Sequence, residues 1–271
     1  MSDHTTAETR ADLLATLFAD TDGDTLLVDP PASLLAALGR LETDALPERL
    51  DVLAREEPLK TVRNDFLVAS DLADHVEADR LTLRVLTGTR ESTLLVTGEA
   101  LFAVLDSEQL RPVAIPADDD TVVADVFTTY RDRFDEAESF GLRTPGRTRA
   151  MEQLGVDVSE AVREDFETVL ATLDEVSDDT IDAVSLALLV AARNEAQLYD
   201  ISKWGEDTGV ASKATFSRTK TDIEDLGLIT TEKVPIDVGR PRLRLLLADD
   251  DLASASLDEF ATVAREKTRS D

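Results

Sequence analysis

Two short stretches late in the chain gather the side chains best suited to chemistry with a polyanion. Residues 212–220, SKATFSRTK, hold three bases and no acid, and Thr221 follows them. Residues 239–244, GRPRLR, again hold three bases and no acid. Arginine and lysine neutralise phosphates, arginine also forms paired hydrogen bonds with guanine, and short side chains let a helix come close to base edges. The chemistry offered is recognition of duplex nucleic acid. At 100° per residue, Ala214, Ser217, Arg218 and Thr221 fall on one side of a helix, with Lys213 and Lys220 at its flank. Phe216, Thr219, Ile223 and Leu226 fall on the opposite side, which has to face a core. In the second stretch, strand alternation puts Arg240, Arg242 and Arg244 on one face and Leu243 and Leu245 on the other.

These stretches are exceptions in their own chain. The 271 residues include 57 acids and 28 bases, a formal net charge of −29. Residues 1–150 hold 30 acids and 15 bases, and residues 151–199 hold 12 and 2. Residues 200–245 hold 8 of each, and the remaining segment returns to an acidic excess. Acids spread along a chain, and not gathered in a tail, suit a cytoplasm at molar salt, where self-repulsion is screened. Against that background a local balance of charge marks a surface with a separate task.

The elements able to position that surface can be read around it. Residues 181–194, IDAVSLALLVAARN, predict a largely apolar first helix capped by Asp178 or Asp179. Residues 200–208 predict a short second helix with Ile201 and Trp204 inward. Gly209-Val210 is the turn, Ser212 the N-cap of a third helix reaching about Leu226, and Gly227 its end. Leu228-Ile229 opens a strand, a hairpin follows, and 243–247 is the return strand. This order is that of a winged helix-turn-helix, with the third helix for bases and the hairpin for phosphates or the minor groove. Ser212, Lys213, Ala214, Ser217, Arg218, Lys220, Thr221, Arg240, Arg242 and Arg244 are the expected DNA-binding residues. The same fold could instead serve protein–protein contact, with these bases as solvated charges.

Upstream, short apolar runs alternate with helical spacing. Residues 26–29, 50–54, 81–86, 93–97, 101–105 and 113–115 predict strands, with Gly88 and Gly98 marking turns. Residues 64–77 predict a helix, and Asp118–Asp120 reads as the charged start of another that carries Val122, Val126, Phe127 and Tyr130. The expected fold class is α+β or α/β: a mixed-sheet domain over 1–140 for sensing or dimerisation, a helical linker over 141–177, the winged helix over 178–250, and a C-terminal helix or tail over 251–271. In the linker, Thr144-Pro145 predicts a helix start and Gly155 its end. Residues 160–173 carry an amphipathic stripe that fits either a dimer helix or packing on its own domain. Arg143, Arg147 and Arg149 form a second basic cluster, readable as a phosphate or anionic-effector site at a helix start or as ordinary ion pairs.

Several classes of function find no support. The chain has no cysteine and two histidines, His4 and His75, so a thiolate or histidine metal site and a Ser–His–Asp machine are not expected. No catalytic set, cofactor motif, signal peptide or membrane-length apolar run is visible. The expectation is a cytoplasmic protein, not an enzyme, that binds double-stranded promoter DNA, needs two half-sites and so forms a homodimer, and responds to a small anionic metabolite.

On the winged-helix residues 200–245 and the stretch LAREEPLKTVRNDFLVASDLADHVEADRLTLRVLTG (53–88), the chain resembles the haloarchaeal TbsP-like transcriptional regulators over nearly its whole length. That resemblance implies a DNA-binding regulator connected with central sugar metabolism, acting on promoters of that pathway.

Overall fold

The structure, a computed structural model, describes residues 4–19, 21, 23–107, 110–173, 181–235 and 241–268. The chain divides into two compact units, Met1–Arg147 and Thr148–Asp271.

The first unit runs β1 (Thr5–Thr6), α1 (Arg10–Ala19), β2 (Asp24–Val28), α2 (Ala32–Gly39), β3 (Arg49–Arg55), α3 (Glu56–Asn64), α4 (Phe66–Glu77), β4 (Leu81–Leu86), β5 (Leu94–Val96), β6 (Leu101–Ser107), β7 (Leu110–Pro116) and α5 (Asp120–Glu136). Its seven strands lie in the order β1-β7-β6-β5-β2-β3-β4. The β2–β3 and β3–β4 pairs are parallel, and the other four are antiparallel. Runs such as Leu26–Val28 and Leu50–Ala54, apolar apart from Asp51, belong to central strands covered on both faces. One face packs leucines of α1 to α4 against Leu27, Leu50, Val52 and Leu83. The other is covered by α5, through Val123 and Phe134 against Leu26, Val28, Leu53 and Val96.

Three features differ from the sequence expectations. Gly88, at φ 108°, is not a hairpin turn. β4 is an edge strand beside β3, and β5 pairs with β2, so residues 87–93 cross the carboxyl ends of β3 and β2. A parallel crossover through α3 and α4 places β4 beyond β3, which leaves the other flank of β2 for β5. Helices α1 and α3 were not foreseen, although Leu13, Leu14, Leu17, Phe18, Leu59 and Val62 are buried on them. On α5 the Asp119 side chain caps the helix by accepting from the Thr121 and Val122 amides, and Val122 is exposed while Val123 is buried.

The second unit runs α6 (Arg147–Asp157), whose first residue closes the first unit, then α7 (Glu160–Leu173), α8 (Ala183–Arg193), α9 (Leu198–Asp207), α10 (Lys213–Asp225), β8 (Ile229–Val234), β9 (Arg242–Leu247), α11 (Asp250–Ser254) and α12 (Leu257–Thr268). Every residue of α8 from Val184 to Ala192 is buried, which is why its sequence is apolar all round. Its cap is Asp182, accepting from the Val184 and Ser185 amides at 3.0 Å; Asp178 and Asp179, expected there, lie outside the described residues. Helices α6 and α7 do not form a separate linker. The Trp204 indole donates to the Ala150 carbonyl at 2.9 Å and meets Phe166 edge-on at 6.1 Å. The α7 stripe of Val162, Phe166, Val169 and Leu170 is buried within its own unit, and α12 packs on α7 and α8 through Phe260. Helix α6 starts at Arg147, after Pro145, and runs through Gly155 to Asp157.

Candidate nucleic-acid interface

The third helix of the expected trihelical core is α10. Gly209, at φ 78°, makes the turn that enters it. Ser212 caps it, accepting from the Thr215 amide at 3.2 Å. Phe216 and Ile223 are buried against the neighbouring helices. The approach to α9 is close enough to exclude a side chain: a Cβ on Gly205 would lie 2.2 Å from the Phe216 ring. Gly227, at φ 75°, ends the helix. Leu226, expected inward, is exposed, because the chain turns at Gly227 and buries Leu228 and Ile229 instead.

Ala214, Ser217, Arg218 and Thr221 are all exposed. The Thr221 hydroxyl donates to the Ser217 carbonyl at 3.1 Å, which leaves its oxygen as an acceptor toward solvent. Arg218 has no ion pair among the described residues. The flanking lysines differ from it. Lys213 meets Glu206 at 2.5 Å, and that contact pushes the Lys213 pKa up and the Glu206 pKa down. Lys220 is largely buried against Glu224, which also accepts from the Thr231 hydroxyl at 2.9 Å. Lys220 thus joins α10 to β8 before any ligand arrives.

Strands β8 and β9 form the antiparallel wing. Gly239 and Arg240, its expected tip, lie outside the described residues. Arg242 lies over the Tyr199 ring at 4.5 Å and donates to Gln197 and Asp200 at 3.2 Å. Arg244 is more loosely held, 3.7 Å from Glu195 and 3.9 Å from Glu232. Leu245 is buried, as strand alternation requires, while Leu243 is half-exposed. Between α9, α10 and the wing lies a cleft of about 510 Å³ with Tyr199, Ser202, Lys213, Ser217, Arg242 and Leu243 on its walls. Helix α10 and the wing therefore border one concave surface.

Sequence reasoning missed Tyr199, which is 47% exposed beside Arg242, and Lys233, an exposed base on β8 with no ion pair among the described residues. It also missed the carboxylate beside each of the four paired bases. Lys220 and Glu224, at i and i+4 on one helix, were open to that reading.

The second basic cluster is built differently from its expectation. Arg147 binds Asp71 through its Nε at 2.6 Å and its Nη2 at 2.8 Å. The Gly146 amide, just ahead of α6, donates to Glu77 Oε1 at 2.9 Å. The Gly146 amide and Arg147 are thus already engaged by carboxylates of the first unit. Arg143, at φ 65°, and Arg149 are exposed.

Among the described residues no helix is long and apolar enough to cross a membrane. No curated protein sequence matches the chain. Among solved structures, it is similar to TrmBL2, described as an archaeal chromatin protein with a novel mode of DNA binding, at 17% identity and a TM-score of 0.38. That match covers 51% of this chain and 53% of the other, so the chain spans about half the length of that protein. It is also similar to Nuc, a phospholipase D family member from Salmonella typhimurium, at 8% identity and a TM-score of 0.38, over 52% of this chain and 96% of that one. Neither likeness is close enough to carry an activity across. Family models cover the chain almost end to end. The one described as "Transcriptional regulator TbsP-like, N-terminal" matches residues 2–145. The one described as "Transcriptional regulator TbsP-like, C-terminal HTH domain" matches residues 146–265. The chain belongs to the TbsP-like transcriptional regulators.

Proposed function

We propose that this regulator binds double-stranded promoter DNA with sequence preference, as a homodimer, in the cytoplasm of a halophilic archaeon, and controls genes of central sugar metabolism. The observation that carries the DNA reading is the outward face of α10. It presents Ala214, Ser217, Arg218 and Thr221 to solvent, and Arg218 on it has no ion pair among the described residues. An unpaired arginine amid short side chains suits a bidentate contact to guanine in the major groove. Lys213, Arg242 and Arg244 border the same surface and would meet phosphates, with Arg240 beyond them at the wing tip.

The ion pairs give this binding a particular mechanism. A phosphate that reaches Lys213 has to replace Glu206, and one that reaches Arg242 has to replace Asp200. Binding therefore exchanges one anion for another and gains little from counterion release, which molar salt would suppress in any case. Selectivity then rests on base contacts and on shape, and two half-sites supply the affinity that one module lacks. The sugar-metabolism target is what the family resemblance suggests.

Chromatin occupancy mapping, followed by footprinting of the purified protein on the occupied promoters, tests this reading. Paired protected half-sites about one helical turn apart support it. Occupancy that requires another DNA-bound protein, with no footprint by the purified chain, refutes it. The carboxylates beside Lys213, Lys220 and Arg242 favour that second outcome more than bare cations would, because they lower the net positive charge that DNA meets.

A further inference from the structure

At one end of the sheet in the first unit, past the carboxyl ends of β2 and β6, lies a cleft of about 790 Å³. That size is typical of small-molecule sites, and the end of a strand is where α/β sheets place their ligands. Two carboxylates organise this end of the sheet: Asp106 in the cleft and Asp29 behind it. Asp106 accepts two hydrogen bonds from Arg10 Nε, at 2.8 and 2.9 Å, and one from the Ser33 hydroxyl at 3.0 Å. Asp29 is 3% exposed and takes up a left-handed conformation at φ 45°. It accepts from Arg55 Nε at 2.7 Å and from the Glu91 amide at 2.8 Å, and its carbonyl accepts from the Thr93 hydroxyl at 2.9 Å. A non-glycine residue stays in that conformation only where its surroundings fix it. Here the bonds pin residues 91–93 over the end of β2 and shape one wall of the cleft.

The charge left over is positive. Glu91 is engaged by Tyr130 and by Arg133, the latter at 3.0 Å, and Asp106 is neutralised by Arg10. Arg90 is exposed and has no partner among the described residues. Arg111 is 73% exposed, and its one ion pair among the described residues is to Glu8, also exposed, at 3.6 Å. Among the described residues, three arginines and two acids line this cleft, in a chain whose acids outnumber its bases two to one. Ser92 also lines it and makes no side-chain hydrogen bond among the described residues. Leu105, 57% exposed, adds an apolar wall.

We propose that this cleft binds a small hydroxylated organic anion. Arg90 and Arg111 hold its phosphate or carboxylate, and Ser33, Ser92 and Asp106 meet its hydroxyls. Service as an effector site rests on the DNA-binding reading above; occupancy of the cleft does not.

The test is calorimetric titration of the full chain in molar KCl with glycerol 3-phosphate, citrate and inorganic phosphate. One of the two organic anions is expected to bind one-to-one and more tightly than inorganic phosphate; which of them does so separates a phosphorylated polyol from a hydroxycarboxylate. Arg90→Ala with Arg111→Ala should weaken that binding at least about tenfold, because it removes both charge-assisted contacts and either one is worth about that factor. Leu105→Trp should weaken it by crowding the Leu105 wall of the cleft. Promoter binding without added anion should be unchanged in both variants. Both arginines are at the surface, so the double variant tests the site even if Leu105→Trp does not fold. Binding by neither organic anion, or equal binding by the double variant, overturns the proposal. Loss of promoter binding by the wild-type chain with anion binding intact would instead refute the regulatory reading alone.

Discussion

Arg218 differs from its basic neighbours in having no ion pair among the described residues. Lys213, Lys220, Arg242 and Arg244 each have one within ion-pair reach, so local charge is balanced pair by pair. The local excess of bases was legible in the sequence, and so was the outward set of Ala214, Ser217, Arg218 and Thr221, because 3.6-residue periodicity and one buried Phe216 fix the faces of α10. The partners across elements were not legible. Glu206 and Lys213 are seven residues apart across a turn, and Asp200 reaches Arg242 from another helix, so no helical spacing joins either pair. Glu206→Gln should strengthen DNA binding about threefold at moderate salt, by freeing Lys213 and removing a carboxylate from the path of a phosphate. Fluorescence anisotropy on a bound promoter fragment measures this. Weaker binding by Glu206→Gln would mean that the pair orients Lys213 and does not restrain it. The contact with Lys213 holds the Glu206 carboxyl below the usual range near 4.5, so the pair is intact at neutral pH and opens only as pH falls through that lowered value.

At the scale of elements, α9 and α10 meet with no space to spare, and Gly205 is what permits it. A Cβ there would lie 2.2 Å from the Phe216 ring. Gly205→Ala should cost about 1–3 kcal/mol by overpacking, despite alanine's better helix propensity, and lower the thermal midpoint of the second unit. An unchanged or raised midpoint would show that α9 and α10 can separate freely. In the first unit, α2 and α4 are joined by His75. Its Nε2–H donates to the Gly39 carbonyl at 3.2 Å, and its Nδ1 accepts from the Thr43 hydroxyl at 3.1 Å. Burial pushes its pKa below 6.5, against the pull of the Gly39 and Leu38 backbone and of Asp74 and Glu42. The unfolded chain therefore takes up this proton first. Stability is full above about pH 6.5 and declines as pH falls toward the folded value. Thermal unfolding between pH 7 and 5, above the range where most carboxylates titrate, should show that decline, and His75→Gln should flatten it. The strands were largely legible from their apolar runs, but their neighbours were not. A run such as Leu81–Leu86 announces a strand without saying that it will sit at the edge, three places from the strand that follows it in sequence.

For the whole molecule, the charge of −29 sets the conditions under which a polyanion can be bound at all. Near 1 M salt the screening length is about 3 Å, so distant acids cost little and only groups in contact count. Under those conditions recognition has to be carried by a few direct contacts, and we propose Arg218 for the most specific one. Arginine paired to guanine contributes roughly 1–3 kcal/mol of discrimination. The most direct measurement is the affinity of wild-type protein and Arg218→Ala, in molar KCl, for an occupied promoter fragment and for a scrambled duplex of equal length. The expected result is a clear preference for the promoter in the wild type that is mostly lost in Arg218→Ala, with binding to the scrambled duplex little changed. Equal affinity and equal preference in the two proteins would contradict it, and DNA would then have to be read by another surface.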